Sequence, residues 1–272
     1  MRTQPLATEF DARASGTAVD WPNGETLGTW LAVALLGSGG TAEVWRAVAP
    51  DGREAALKLV KRELRRHRGA NALLRREHEV LRTVGSPHLV APLELIDCAG
   101  SAVLALEYLP HGDLVPLLGQ PPRQWLPAFG AVVSALAALE RHGLAHGDLK
   151  ARNVLFAADG SARLADLTSA RPLDAPAAAA TAAYALPAQH GVSAREADCF
   201  ALAALLFELT TARLPYGPRG AVGGKQLSDV PLADPVAAQL EEAAIAALQA
   251  RGRVRGLSYF GDVIESVRGQ HG

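Results

Sequence analysis

The chain has 272 residues, 49% of them hydrophobic, with 27 Lys and Arg against 28 Asp and Glu and a formal net charge of −1. This composition excludes a disordered chain, and the near-neutral balance gives no global attraction to nucleic acid or to an anionic membrane. The length suits one large domain or two smaller lobes sharing an interface.

Cys98 and Cys199 lie far apart and form neither a metal-ligand nor a disulfide spacing, so a reducing compartment is expected. Residues 1–24 mix polar and small side chains, lack the apolar core of a signal peptide, and read as a tail. No window reaches about 18 uninterrupted apolar residues, so no membrane span is expected. A soluble, cytoplasmic protein follows from these readings.

From Thr29 to Tyr108 the pattern is that of strands with one helix. The apolar stretch TWLAVALLG runs into GSGG at 37–40, and TAEVWRAVA places Val44, Arg46 and Val48 at period two. Asp51-Gly52 is a hairpin signal leading into REAALKLV. Leu73, Leu74, Val80, Leu81 and Val84 then recur at helical spacing up to Gly85. HLVAPLELIDC and SAVLALEYL predict a second hairpin around Ala99-Gly100. The expectation is a five-stranded antiparallel sheet carrying one helix, in a small lobe over 25–109.

After a linker near Glu107–Asp113 the chain turns mainly helical, giving a larger lobe over 110–272. Residues 123–143 place Leu126, Phe129, Val133, Leu136 and Leu139 on one face. The segment from Ser193 predicts a buried helix, with Ser193 as N-cap and Glu196 completing a capping box. Weaker helices are expected near 232–250 and 257–268. Short strands NVLF and SARLAD flank Asp159-Gly160. The Ala-rich stretch 175–185 has few packing groups and reads as a surface loop. The fold class is therefore α+β.

Several side chains carry potential chemistry. Small residues at Gly37 and Gly39 let backbone N–H groups approach a polyphosphate, although a glycine-rich hairpin is by itself a weak signal. Lys58 lies in an apolar strand, where an ammonium must be paired or bear a desolvation cost, and Glu77 on the following helix is a partner for it. Asp148, Lys150 and Asn153 stand at offsets of zero, two and five in HGDLKARN. Asn153 and Asp166 flank the short two-strand excursion, and an amide oxygen with a carboxylate suits Mg²⁺. Lys150 supplies a cation for a transferring phosphoryl group. The basic run 61–69 reads as a solvated face, with an acidic docking partner as the alternative.

In this order the motifs resemble those of the eukaryotic-type (Hanks-type) Ser/Thr protein kinases, over about Thr29 to Val267. GSGGTAEV resembles the glycine-rich loop, with Gly37, Gly39 and Val44 in place and Ala42 at its third glycine. AALK resembles V-A-I-K. The resemblance implies a bilobal fold, ATP and Mg²⁺ as cofactors, and a protein substrate of unspecified identity. It assigns Lys58 to the α/β-phosphates and Glu77 to its helix partner. Val44, Ala56, Leu106, Glu107, Leu109 and Leu155 fall to the nucleotide pocket. Leu106 takes the gatekeeper position, and the backbones of Glu107 and Leu109 face adenine. Asp148 becomes the base or orienter of the acceptor hydroxyl, Lys150 touches the γ-phosphate, and Asn153 and Asp166 hold the metal. Thr181, Tyr184 and Pro187 keep the offsets of the family's G-T-x-x-Y-x-A-P-E segment, which shapes a peptide site. Asp198 is assigned to brace the catalytic loop. The Ala, Arg and Leu usage points to a GC-rich, bacterial genome.

Departures from the pattern carry their own implications. Gly147 replaces the arginine that pairs with a phosphorylated activation loop, so activity independent of loop phosphorylation is expected. Leu167 and Thr168 replace the phenylalanine and glycine of D-F-G, and a β-branched Thr168 resists a backbone flip. Ala188 replaces the glutamate of A-P-E. The Gly-rich segment 217–232 stands where substrates often dock. A small-molecule or sugar kinase of the same broad fold, and a pseudokinase scaffold, remain alternatives.

Overall fold

The computed structural model describes residues 24–65, 67–98, 101–177, 181–186, 191–219, 234–249 and 255–269. The Ala99-Gly100 turn, Pro187, Ala188 and most of 217–232 lie outside the described residues. The chain forms two compact units, Met1–Gly112 with Phe156–Ser161, and Asp113–Leu155 with Ala162–Gly272.

The first unit holds an antiparallel sheet of β1 (Thr26–Leu27), β2 (Trp30–Ser38), β3 (Ala42–Val48), β4 (Glu54–Val60), β5 (Pro92–Cys98) and β6 (Ser101–Glu107), in the order β1-β2-β3-β4-β6-β5. It has six strands where five were expected. The addition is the two-residue β1, which pairs Thr26 with Leu31 and is too short to show a period.

Register sorts the side chains. Across β3, β4 and β6, Val44 faces Lys58 and Lys58 faces Leu104, while Arg46 faces Ala56 and Ala56 faces Leu106. Directly opposed residues share a face. The intervening residues Trp45, Ala47, Ala55, Leu57, Leu59, Val103 and Ala105 form one buried apolar cluster with Trp30. One parity builds the core and the other carries Lys58.

α1 (Arg68–Val84) packs through Ala70 and Leu74 on Val60 and Ala102, residues of the Lys58 parity. It starts at His67, whose side chain accepts from the Ala70 N–H, and ends at Gly85 in the left-handed conformation (φ 54°) that glycine adopts without steric cost. The basic run is not wholly a solvated face. His67 caps α1, and half-buried Arg65 accepts on its carbonyl from Asn71 Nδ2 at 2.6 Å. Burial and the charges of Glu25, Arg62 and Glu43 set the environment of the Arg65 guanidinium.

The second unit is built on α2 (Pro122–Arg141) and α3 (Ala194–Thr211), with α4 (Pro235–Leu248) and α5 (Leu257–Arg268) following. α2 buries Leu126, Phe129, Val132, Leu136 and Leu139; Val132 takes the position expected for Val133, which is half-buried. Trp125, Phe129 and Phe260 meet edge to face. α3 is buried along nearly its whole length, and its capping box is formed in both directions between Ser193 and Glu196. Short antiparallel pairs complete the fold: β7 (Leu144–Ala145) with β10 (Arg171–Pro172), and β8 (Val154–Phe156) with β9 (Ala162–Leu164). No helix among the described residues is long and apolar enough to cross a membrane.

Candidate active site

In the first unit, β4 places Lys58 and α1 places Glu77. Lys58 Nζ lies 2.7 Å from Glu77 Oε2, and the carboxylate side chain is fully buried. Two opposite charges at this separation in an apolar setting stabilise one another only if both stay in place. Gly37 pairs with Val44 next to a register shift in β2, and the Gly39 N–H donates to the Ala42 carbonyl at 2.8 Å, closing the glycine turn. At the end of β6 the Glu107 N–H donates to the Ala91 carbonyl (2.9 Å), and the Ala91 N–H donates to the Glu107 carboxylate (2.7 Å). Leu106 and Leu109 are buried, and Ala56 is half-buried on the Lys58 face.

In the second unit the loop between β7 and β8 is fixed from beneath. Asp198 on α3 accepts from the N–H groups of His146 (2.6 Å) and Gly147 (2.9 Å). Burial raises the Asp198 carboxyl, while these two backbone bonds pull it back. His146 is fully buried. Its Nδ1 accepts from the Asp148 N–H (3.2 Å), so Nε2 carries the proton given to the Ala165 carbonyl (3.0 Å). The imidazole ties the Asp148 backbone to Ala165, the residue before Asp166.

Asp148 stands at the head of that loop. Lys150 Nζ is 2.7 Å from Asp148 Oδ2 and 3.1 Å from Thr181 Oγ1. Thr181 donates to Asp148 Oδ1 from both its N–H (3.1 Å) and its hydroxyl (2.8 Å). Burial works to raise the Asp148 carboxyl, but the hydrogen bonds and charge of Lys150, with the Thr181 bonds, outweigh it and hold the group below its ordinary value.

The Ala-rich stretch is a surface loop only in part: Pro176 and Ala177 are exposed, as expected, but 181 and 183–185 are not. Thr181 is bonded to Asp148, and Ala183 and Tyr184 are buried. Burial, together with the charge and hydrogen bond of Glu208 on α3, pushes the Tyr184 phenol up; its hydroxyl donates to that carboxylate.

Asn153 Nδ2 donates to the Asp148 carbonyl at 2.8 Å, which turns the amide oxygen the other way. Asn153 in turn accepts the Ala165 N–H on its own carbonyl (2.8 Å). Asp166 adopts φ 65°, a left-handed conformation that a short polar side chain tolerates. Thr168 Oγ1 donates to Asp166 Oδ1 at 2.6 Å, a bond no glycine at that position offers, and Leu167 is buried.

Among the described residues no three His, Cys, Asp or Glu side chains form a metal cluster. Asn153 and Asp166 carry an amide oxygen and a carboxylate on linked backbone, two hard oxygen donors that could serve a cation. That set suits Mg²⁺, which takes its other ligands from water and phosphate.

Gly147 has φ 86°, and a Cβ built there meets the Ser169 carbonyl oxygen at 2.6 Å. In this conformation no side chain is admitted at 147. Arg171 donates from Nε to the same Ser169 carbonyl (3.1 Å) and from Nη1 to the Pro176 carbonyl (3.3 Å).

The protein kinase domain model matches residues 30–234. The chain belongs to the protein kinase family. The domain is 31% identical over 206 residues to a probable serine/threonine-protein kinase, PkwA, of Thermomonospora curvata, covering 70% of this chain and 27% of that protein. It is 30% identical over 202 residues to a probable serine/threonine-protein kinase of Streptomyces coelicolor, covering 67% and 30%. It is also 30% identical over 208 residues to CBL-interacting protein kinase 4 of Oryza sativa, covering 70% and 46%. This kinase domain spans less than two thirds of the length of each of these relatives. Membership of the family carries with it the two-lobed α+β kinase fold expected from the sequence.

Of the residues that resemblance assigns, Lys58 and Glu77 meet in the first unit. Asp148, Lys150 and Asn153 meet in the second, and Asn153 is bonded to Ala165, the residue before Asp166. Leu155, half-buried, bridges to Asp113. Glu208, Arg171 and the Thr168 hydroxyl went unassigned at the sequence level. A glutamate in a helix, or an arginine between small residues, has no spacing that marks it.

Proposed function

We propose that the protein transfers the γ-phosphoryl group of ATP, with Mg²⁺, to Ser or Thr hydroxyls of a protein acceptor, and that it does so without phosphorylation of its activation loop. The observation that carries the reading is the set of bonds joining Thr181 to Asp148 and Lys150. They tie the segment that shapes a peptide site in this family to the carboxylate that would receive the acceptor hydroxyl. A small-molecule kinase has no need of that tie.

In this reading Lys58, oriented by Glu77, grips the α/β-phosphates. Asp148 accepts a hydrogen bond from the acceptor hydroxyl and orients its oxygen for in-line attack. Lys150 balances charge on the transferring group. Asn153 and Asp166 would hold Mg²⁺, which supplies neutralisation of phosphate charge. The loop supplies little covalent chemistry, so alignment and charge stabilisation account for the rate. Leu106, Ala56, Val44 and Leu155 would bound the adenine, with the backbones of Glu107 and Leu109 addressing its edge, and Gly37 and Gly39 would admit the phosphates.

Independence from loop phosphorylation is supported by what replaces a phosphate clamp. Gly147 leaves no room for an arginine, and Arg171 is engaged by carbonyls of its own segment. Backbone bonds hold that segment down: Leu173 N–H to Gly143 O, Ala175 O to Ala194 N–H, and Ala177 N–H to Val192 O.

Phosphatase-treated protein, verified unmodified by mass spectrometry, is assayed with radiolabelled ATP, Mg²⁺ and a mixed protein acceptor, then with small metabolites instead. Initial rates on protein equal to those of untreated enzyme are expected. Inactivity restored only by phosphate on residues 168–184 would refute the regulatory part, and turnover confined to metabolites would refute the acceptor class.

A further inference from the structure

The basic run 61–69 plays no part in the chemistry described above, yet its backbone is bonded at both ends. The Lys61 N–H donates to the carbonyl of Thr41, in the glycine turn, at 3.0 Å. From there two short turns draw the chain together, Leu64 N–H to Lys61 O and His67 N–H to Leu64 O, both at 2.8 Å. Leu64 packs on the apolar cluster that includes Val60, Ala70 and Leu74.

The far end is held by one side chain. Asn71, near the start of α1, is 8% exposed. Its Nδ2 donates to the Arg65 carbonyl at 2.6 Å and to the His67 carbonyl at 3.2 Å, and its Oδ1 accepts from the Ala102 N–H at 2.6 Å. The last residue pair between β4 and β6 is Leu59 with Val103, so this amide meets the N–H just past the end of that ladder. A carboxamide carries two donors and an acceptor, a set that neither an apolar side chain nor a carboxylate of the same size supplies. Glu77 lies six residues farther along the same helix, a rise of about 9 Å.

We propose that Asn71 makes segment 61–67 a strut between the glycine turn and α1, so that the turn and the helix carrying Glu77 move as one body. Asn71 is then a positioning residue, acting on Lys58 through Glu77. The catalytic consequence rests on the kinase reading, in which these parts hold the phosphates, but the strut is a physical property of the chain in its own right. Removing the amide takes a partner from the Arg65 carbonyl and from the Ala102 N–H, a loss on the order of a hydrogen bond at each.

The strut can be cut at either end. Asn71→Ala cuts it at α1. Lys61→Pro cuts it at the glycine turn by deleting the N–H, since Lys61 already has φ −52°, within the range of proline. Lys61→Ala keeps the N–H and serves as the side-chain control. The full chain is examined as wild type and these three variants, by hydrogen exchange over 38–43 and 68–77 and by steady-state kinetics with radiolabelled ATP and a mixed protein acceptor. Asn71→Ala and Lys61→Pro should each speed exchange over both segments roughly fivefold. Each should raise the KM for ATP roughly fivefold, while Lys61→Ala stays within about twofold on both readouts. Faster exchange confined to the segment nearest each cut overturns the strut. Faster exchange over both segments with an unchanged KM for ATP overturns the positioning role. A wild type that transfers no phosphoryl group refutes the kinase reading instead, and the exchange arm alone then decides the strut. If Asn71→Ala fails to fold, Lys61→Pro against Lys61→Ala makes the same comparison.

Discussion

Asp148 shows how neighbours decide the character of a carboxylate. Burial alone would favour its neutral form, but Lys150 at 2.7 Å and two donors from Thr181 stabilise the anion more, so its folded value lies below the ordinary one. A group whose folded pKa is depressed contributes stability above its unfolded value, and that stability is lost as pH falls through the folded value. The wild type should therefore lose thermal stability between about pH 4 and the folded pKa more steeply than Asp148→Asn does. Melting temperatures of the two proteins across pH 3 to 6 measure this, and parallel curves would contradict it. The residues that carry this behaviour were legible in HGDLKARN because Asp, Lys and Asn fall at fixed offsets. Thr181 was legible only through its place in a family motif, since a hydroxyl in an Ala-rich stretch has no periodicity to mark where it points.

At the scale of elements, period-two alternation was legible in β3, helical spacing marked α1 and α2, and the Ser193–Glu196 capping box marked the start of α3, while register divides β3, β4 and β6 into a core face and a face bearing Lys58. What spacing did not show was which short pieces join a sheet. β1 has two residues, and its pairing depends on partners supplied by β2. In α2, a shift from Val133 to Val132 reflects how closely two adjacent valines compete for one apolar stripe. Besides apolar packing, β4 and α1 are tied by the Lys58–Glu77 pair, and loss of the lysine removes the cation beside a buried carboxylate. Lys58→Met should lower stability by about 3–5 kcal/mol, and Lys58→Met with Glu77→Leu should recover most of it. Denaturant unfolding of the single and double variants checks this; additive losses would show that the pair does not couple the two elements.

At the scale of the whole molecule, the residues proposed for the chemistry fall in two compact units of one chain. One contributes a lysine held by a helix carboxylate, and the other contributes Asp148 with its lysine, amide and threonine. Family membership follows from motifs spread over residues 30–234, which is why fold and class were readable from sequence. The substitution at Gly147 was visible there as a missing arginine. Only coordinates reveal that its positive φ and the Ser169 carbonyl leave no space for a side chain, and that Arg171 bonds its own segment. The account stands on both units serving one phosphoryl transfer. Label from γ-³²P-ATP on Ser and Thr of protein acceptors, compared among wild type, Lys58→Met and Asp166→Ala at equal folded concentration, tests this most directly. Each single variant should reduce the labelling rate by about a hundredfold or more. Labelling within a few-fold of wild type in either one, or none in the wild type, would contradict it.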